Sequence, residues 1–240
     1  MAIVINGSGT ITGVSVGGLP DGSVDSDTLA TGIDATKLAD GTVTSTELQY
    51  INTLSSNAQT QISGVGGAWN YIATATASNS ASLEFTANID GTYTCYGFYL
   101  NNIFPATAGG SLYLSVSSDG GSSYLTTGCD ALSLGYGGDG ASHIESSSDA
   151  NQFALCHNQH NSSCGGVSGW VYVTDPNDSG VYTSFQWLLS YHSNVSTPIG
   201  GFTHGGGIRD TAEDINAIKF HEESGNITTG EIRLYGLADS

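Results

Sequence analysis

Two kinds of hydrophobic spacing divide the chain. From residue 69 onward, short strand-like runs rich in aromatic and aliphatic residues recur, for example at residues 170–173 and 184–191, and apolar residues alternate with polar ones at residues 111–116. This period of two is typical of strands that bury one face. Clusters of Gly, Asn, Asp and Ser separate the runs. Residues 67–240 are therefore predicted to form an antiparallel β-sandwich of jelly-roll type, with about eight to ten strands.

The first 66 residues follow another pattern. Residues 19–29 and 38–48 share L-x-D-G-[ST]-V-x-S-x-x-L at an offset of 19 residues. A unit this short cannot bury its own apolar side, so it needs neighbours from its own chain or from other copies. Apolar residues at near-helical spacing come next: Leu48, Ile51, Leu54, Ala58 and Ile62. We predict an extended and short-helical stalk over residues 1–66 that trimerises, with a flexible linker as the alternative.

Composition and charge exclude several partners. The 240 residues include 4 Lys plus Arg against 22 Asp plus Glu, a net charge of −18. Four cations cannot neutralise a row of phosphates, and the chain lacks the basic clusters that bind anionic lipid. No apolar run approaches the roughly 18 residues of a membrane span, and the first residues do not read as a secretory signal. We expect no nucleic-acid partner and no membrane insertion.

Several segments resemble a known class of proteins. Residues 38–51 and 57–62 look like the stalk segments of tail-fibre-type virion proteins of bacteriophages. Residues 77–85, 116–124 and 230–236 are similar to the β-rich distal domains attached to such stalks. The resemblance implies a homotrimer anchored to the particle by its N-terminus. It also implies assembly in the bacterial cytoplasm, a final location on the virion, and a distal domain that contacts the host surface.

The same resemblance leaves two places on the particle open. Modules of this kind also occur on capsids as head fibres or decoration proteins, whose task is to dock on the shell lattice. The partners are then other virion proteins of the tail or of the capsid. An apolar segment at the start of the chain suits either attachment: Ala2, Ile3, Val4 and Ile5. Adhesion by a tail fibre is the leading interpretation, and capsid docking is the alternative.

Glycan is the expected host ligand. Tyr and Trp rings stack on sugar faces, and Asn, Ser and Asp loops hydrogen-bond hydroxyl groups. The candidate receptor contacts are tyrosines assigned to loops: Tyr124, Tyr136, Tyr182 and Tyr191. Glycan hydrolysis would need two converging carboxyl groups. The local acid pairs, at residues 175/178, 213/214 and 222/223, are predicted to be solvated acids in loops, so we expect no enzyme and no cofactor.

One nine-residue segment concentrates ligand-type side chains: Cys156, His157, His160 and Cys164. Two thiols and two imidazoles could complete a tetrahedral zinc site, but this spacing matches no common zinc motif. A disulfide between the cysteines is a second interpretation. Free thiols, expected for a protein that folds in a reducing cytoplasm, are the third. The sequence leaves the three open.

Residues 117–124 fit the Asp-box pattern S-x-D-x-G-x-[ST]-aromatic. In this motif the Asp carboxylate accepts backbone N–H groups inside a hairpin turn, while the aromatic ring packs beneath it. The motif resembles the one found in sialidases and other β-proteins, where it is structural. We predict a brace for a hairpin without catalytic activity. The glycines at residues 200–201 and 205–207 indicate turns or close backbone approach.

Overall fold

The computed structural model describes residues 4–5, 11–12, 44, 46–47, 50, 68–137, 142–161, 165–193 and 199–238. The chain divides into two compact units, Met1–Val65 and Gly66–Ser240. The predicted repeats and most of the predicted helical seam lie outside the described residues, as do Ala2 and Ile3 of the attachment segment. The predicted trimeric stalk therefore stays a prediction.

The described part of the first unit contains two short strands and one helix start. Strand β1 (Val4–Ile5) pairs antiparallel with β2 (Ile11–Thr12). At the helix start, the Thr44 N–H donates to Glu47 Oε2 at 2.8 Å, and the Glu47 N–H donates to Thr44 Oγ1 at 3.2 Å. This reciprocal pair is a capping box, which satisfies two backbone donors that the first helical turn leaves without partners.

The second unit is built from twelve strands whose pairings are all antiparallel. They are β3 (Trp69–Thr76), β4 (Ser82–Phe85), β5 (Cys95–Pro105), β6 (Leu112–Ser117), β7 (Cys129–Gly137), β8 (Ser142–Ala150), β9 (Phe153–Cys156), β10 (Val167–Thr174), β11 (Ser184–Ser193), β12 (Ile199–Arg209), β13 (Ala217–Glu222) and β14 (Ile227–Leu237). The large sheet has the order β3-β14-β5-β10-β11-β12-β7-β8, and the small sheet has the order β4-β13-β6-β9. The prediction of a mainly β unit with two antiparallel sheets is confirmed.

Alternating burial explains how the two sheets form one core. Along β11, Phe185, Trp187 and Leu189 point inward, whereas the residues between them point outward. Aromatic rings connect the sheets: Phe98 lies 5.2 Å from Phe85 and 5.4 Å from Phe220 between ring centroids. Full burial of one such side chain contributes roughly 1.5–3 kcal/mol.

Strand β12 shows why glycine is needed in the core of this sheet. A Cβ atom on Gly205 would lie 2.3 Å from the Trp187 ring, and one on Gly207 would lie 2.7 Å from the Phe153 ring. Both rings therefore pack directly against the β12 backbone. The predicted close backbone approach in this glycine run is confirmed at these two positions.

Candidate functional site

The register of the large sheet places one residue of each strand in a row across its outer side. One such row runs Thr74, Arg233, Tyr99, Trp170, Leu188, His204, Leu134, Ile144. Residues two positions away on each strand share the same side, except on β3, where a register shift between Tyr71 and Ala73 brings Tyr71 and Trp69 to this side. We call this surface, which points away from the core, the outer face. It crosses all eight strands.

One half of the outer face, on β3, β5, β10 and β14, is aromatic. Its six rings, here called the aromatic platform, are Trp69, Tyr71, Tyr99, Trp170, Tyr172 and Tyr235. The Trp170 and Tyr172 rings are parallel within 2° and stacked at a centroid distance of 5.7 Å. Trp69 lies 5.8 Å from Trp170 and 5.7 Å from Tyr172. The rings form a connected aromatic cluster in which two neighbours are parallel.

Gly97 is the residue that makes this arrangement possible. It pairs with Tyr172 on one side and Tyr235 on the other. A Cβ atom there would lie 2.9 Å from the Trp69 ring and 3.1 Å from the Trp170 ring. Because the glycine has no side chain, both indoles can lie across the β5 backbone.

The other half of the outer face, on β7, β8, β11 and β12, is mostly aliphatic. Its residues, here called the apolar patch, are Leu132, Leu134, Tyr136, Ile144, Leu188, Phe202, His204 and Ile208. Ile144 is 66% exposed and Leu188 is 60% exposed. Tyr136 stacks on Phe202 at 5.4 Å. An open groove of about 540 Å³ runs over Gly206 beside Leu132 and Ile208.

Charge is distributed unevenly over the two halves. Beside the platform, Arg233 and Glu231 form an ion pair, and the Asn101 side-chain amide donates to the same carboxylate at 3.2 Å. Serine and glutamine border the patch, at Ser184, Gln186, Ser190 and Ser146. The carboxylate of Asp130 lies at its edge, where it accepts the Asp149 N–H at 2.7 Å. The platform thus has an ion pair beside its rings, whereas the patch has a polar border that includes the ionisable group of Asp130.

The four tyrosines predicted as receptor contacts are not equivalent. Tyr136 belongs to the apolar patch, and Tyr182 is exposed between β10 and β11. Tyr191 is 6% exposed, because it occupies an inward position of β11 and not a loop. The ring of Tyr124 lies 3.8 Å beneath the Lys219 ammonium group. The prediction was therefore wrong for Tyr191, whereas Tyr124 packs against Lys219 of β13 and stays a predicted contact.

The Asp-box behaves as its pattern predicts. Asp119 Oδ1 accepts the Ser123 N–H at 2.9 Å and the Ser117 hydroxyl at 2.7 Å. Asp119 Oδ2 accepts the Ser123 hydroxyl at 2.7 Å. The Ser123 hydroxyl and N–H, followed by the Ser117 hydroxyl, lower the pKa of Asp119 to about 2. The predicted brace of a turn is confirmed.

The segment with cysteines and histidines does not converge on one point in its described part. Cys156 is buried with a free thiol, and burial raises its pKa. His157 Nδ1 lies 3.0 Å from the Ser111 hydroxyl, whereas the His160 N–H donates to the His192 carbonyl at 2.8 Å. Among the described residues, no group of three His, Cys, Asp or Glu side chains is arranged to hold a metal. Cys164 lies outside them, so its pairing stays a prediction.

Two of the acid pairs seen in the sequence have specific roles. Glu213 pairs with Arg209 Nε at 2.6 Å. Glu222 is 5% exposed, so the prediction of a solvated acid was wrong there. The Gln159 amide, 1% exposed, donates to Glu222 Oε2 at 2.7 Å. Burial raises the pKa of Glu222 to about 7.

Two oxygen atoms of this buried pair lack a hydrogen-bond partner, and a proton on Glu222 would give both of them one. Glu222 Oε1 and Gln159 Oε1 each have no hydrogen-bond partner. Two acceptors can both be satisfied when one of them carries a proton. A neutral Glu222 would donate to Gln159 while it accepts from the same amide. The arrangement is a buried structural pair, closed to a substrate.

Comparison of the chain with protein-family models, curated proteins and solved structures gives no match. Helices long and apolar enough to cross a bilayer are not found among the described residues. The outer face of the large sheet is thus the feature from which a function can be inferred, since it exposes aromatic and apolar side chains over eight strands.

Proposed function

We propose that this chain is a non-enzymatic structural protein of a bacteriophage virion. Residues 1–66 attach it to the particle and trimerise, and residues 67–240 form a distal domain that binds a glycan of the host surface. The resemblance of the stalk and domain segments supports the virion assignment. The aromatic platform is the observation that carries the adhesive function.

We further infer that the distal domain is a jelly roll with two added strand pairs. Eight strands alternate between the sheets along the chain except at β6 and β9, which both lie in the small sheet, and their orders are β3-β14-β5-β10 and β4-β13-β6-β9. Such alternation between two four-stranded sheets follows from two Greek keys wound together. The β7–β8 and β11–β12 pairs extend the first of these sheets.

The platform has the properties of a sugar-binding surface. A pyranose has C–H groups on its faces and hydroxyl groups around its edge, so it stacks on an aromatic ring and hydrogen-bonds polar neighbours. Trp170 and Tyr172 hold their rings parallel on the outer face, so both aromatic side chains present a fixed orientation to a ligand. The tyrosine hydroxyls and the Arg233–Glu231 pair lie beside them. Because the chain carries a net charge of −18, a neutral glycan suits it better than an acidic one.

Glycan binding by the full chain tests the adhesive part of this proposal. A glycan array identifies a ligand, and its affinity is then measured by biolayer interferometry. Trp170→Ala is expected to weaken binding about tenfold or more, because truncation of a central aromatic contact costs roughly 1–2 kcal/mol or more. Tyr182→Ala removes an exposed ring outside the outer face and serves as the matched control.

Two results would contradict the platform as the adhesive surface. One is the absence of any glycan ligand for the folded chain. The other is a Tyr182→Ala variant that loses binding while Trp170→Ala retains it, which would move the contact to the loop between β10 and β11.

A capsid decoration or head-fibre role is the second candidate, and the apolar patch favours it. An exposed apolar surface of this extent is typical of a site that docks on another protein. Cryo-electron microscopy of the particle distinguishes the two roles. Density at the tail supports adhesion to the host, whereas density on the capsid lattice supports docking on the shell.

A further inference from the structure

The apolar patch is large enough to be an interface. Six of its eight residues are exposed by between 38% and 66%: Leu132, Tyr136, Ile144, Leu188, Phe202 and Ile208. With roughly 150–250 Å² for a large side chain, their exposed area is about 600 Å² per copy. His204 and the polar border add to this. The total approaches the roughly 800 Å² per partner that a standard stable interface buries.

Charge indicates which partner the patch accepts. Every copy of the chain carries a net charge of −18, so two copies repel each other over most of their surfaces. The patch contains no ionised carboxylate at its centre, and Asp130 lies at its edge. An apolar centre with a polar border is the composition of an interface core and its rim. Two copies can approach through this centre without placing carboxylates against each other.

We infer that copies of this chain associate through the apolar patch. The inference rests on the proposed function and deepens it, since it adds a contact between distal domains to the trimerising stalk of residues 1–66. Three copies whose patches face a common axis would each divide the patch between both neighbours and close the assembly. The aromatic platform, on the other half of the same face, would extend away from that axis toward a ligand.

Oligomer mass and its response to substitution test this inference. Native mass spectrometry and sedimentation velocity of the full chain are expected to show three copies. Leu188→Asp places a carboxylate in the patch centre and should weaken association by about 100-fold, as charge burial opposes packing. Ile144→Ser, a milder change on the edge strand β8, should weaken it by about tenfold.

Val181→Asp is the matched control. It puts the same carboxylate on an exposed apolar residue outside the patch, so the mass should stay that of the wild type. Circular dichroism and thermal unfolding show whether each variant folds. If Leu188→Asp does not fold, the effect of Ile144→Ser on association tests the inference instead.

Three outcomes separate this inference from the proposed function. A wild-type chain that is monomeric at every concentration overturns the interface, and so does an oligomer whose association constant neither patch substitution lowers. A dimer that Leu188→Asp dissociates supports the interface and overturns the trimer of the proposed function. An oligomer that persists in Trp170→Ala, together with absent glycan binding by the wild type, supports the interface and overturns the adhesive function.

Discussion

The aromatic platform and the apolar patch lie on the same face of the same sheet, yet they differ in chemistry. In the platform, ring centroids lie 5.1–5.8 Å apart around Trp170 and an ion pair adjoins the rings. In the patch, aliphatic side chains are bordered by serine and glutamine. A surface with polar edges suits a hydroxylated ligand, whereas a surface with an uncharged apolar centre suits a protein.

The difference follows from how the sheet is assembled along the chain. The platform lies on β3, β5, β10 and β14, which face the small sheet in the alternating order of the sandwich. The patch lies on the β7–β8 and β11–β12 pairs, which come in the chain between β6 and β9 and between β10 and β13. These added strand pairs thus create a second surface beside the first, and their inward residues, such as Phe185 and Trp187, extend the core.

The largest expected effect on stability concerns the buried Glu222–Gln159 pair, which links the small sheet to β11. Glu222 ends β13, and Gln159 forms an isolated bridge with Ser193 at the end of β11. Because the folded pKa of about 7 lies above the ordinary 4.5, folding favours the protonated carboxyl. This contribution is fully present below about pH 4.5 and is lost as the pH rises through about 7, by about 3 kcal/mol in total.

Urea unfolding across the pH range measures this loss. Glu222→Gln should remove the decline, whereas Glu223→Gln, at the exposed neighbour, should keep it. His221 acts in the opposite direction, because burial lowers its pKa and its contribution to stability rises with pH. A wild-type curve that coincides with that of Glu222→Gln would show that the pair does not hold the proton in the folded state.

The next effect concerns the strand that carries the patch. Gly205→Ala places a methyl group 2.3 Å from the Trp187 ring and should destabilise the domain by roughly 1–3 kcal/mol or more. Gly206→Ala is the control, because its added methyl group would meet its nearest atom at 3.4 Å, on the open outer side. Thermal unfolding compares them. Equal midpoints would show that the Trp187 ring does not lie against β12.

A smaller effect on stability is expected in the platform. Gly97→Ala displaces the Trp69 and Trp170 rings, which can shift toward solvent, so the free energy of unfolding should change by no more than about 1 kcal/mol. Glycan affinity should fall by about tenfold, because the rings no longer lie on the β5 backbone. Gly206→Ala, on the patch half, should leave the affinity unchanged. If Gly206→Ala lowered the glycan affinity and Gly97→Ala did not, the ligand would bind at the apolar patch.

The strand pattern predicted the fold better than it predicted the site. The strand-like runs at residues 111–116, 170–173 and 184–191 correspond to β6, β10 and β11. The same alternation places Tyr191 inward, so its burial could have been read from the sequence. The position of the aromatic platform could not be predicted in this way, because residues 170–173 are Trp-Val-Tyr-Val, a segment that is apolar on both faces. Which face meets the core depends on the small sheet, and that partner is distant in sequence.

Closeness in sequence also led to wrong predictions of paired side chains where the strand geometry separates those side chains in space. Glu222 and Glu223 look like a pair, yet successive residues at the end of a strand point to opposite sides, and one is buried while the other is exposed. Cys156 and His157 diverge for the same reason at the end of β9. Short spacing indicates a shared site when the residues lie in a loop or at helical intervals, and not across a strand.

The position of β14 has a consequence for biosynthesis. This last described strand lies between β3 and β5, and its Tyr235 contacts Tyr71 of β3 and Trp170 of β10. During translation, β3 and β5 remain without their shared partner strand until β14 has been made, and such distant pairing makes folding slow. A chain released by the ribosome before residue 227 would lack the strand that connects these rings. The aromatic platform therefore forms only after β14 has been translated.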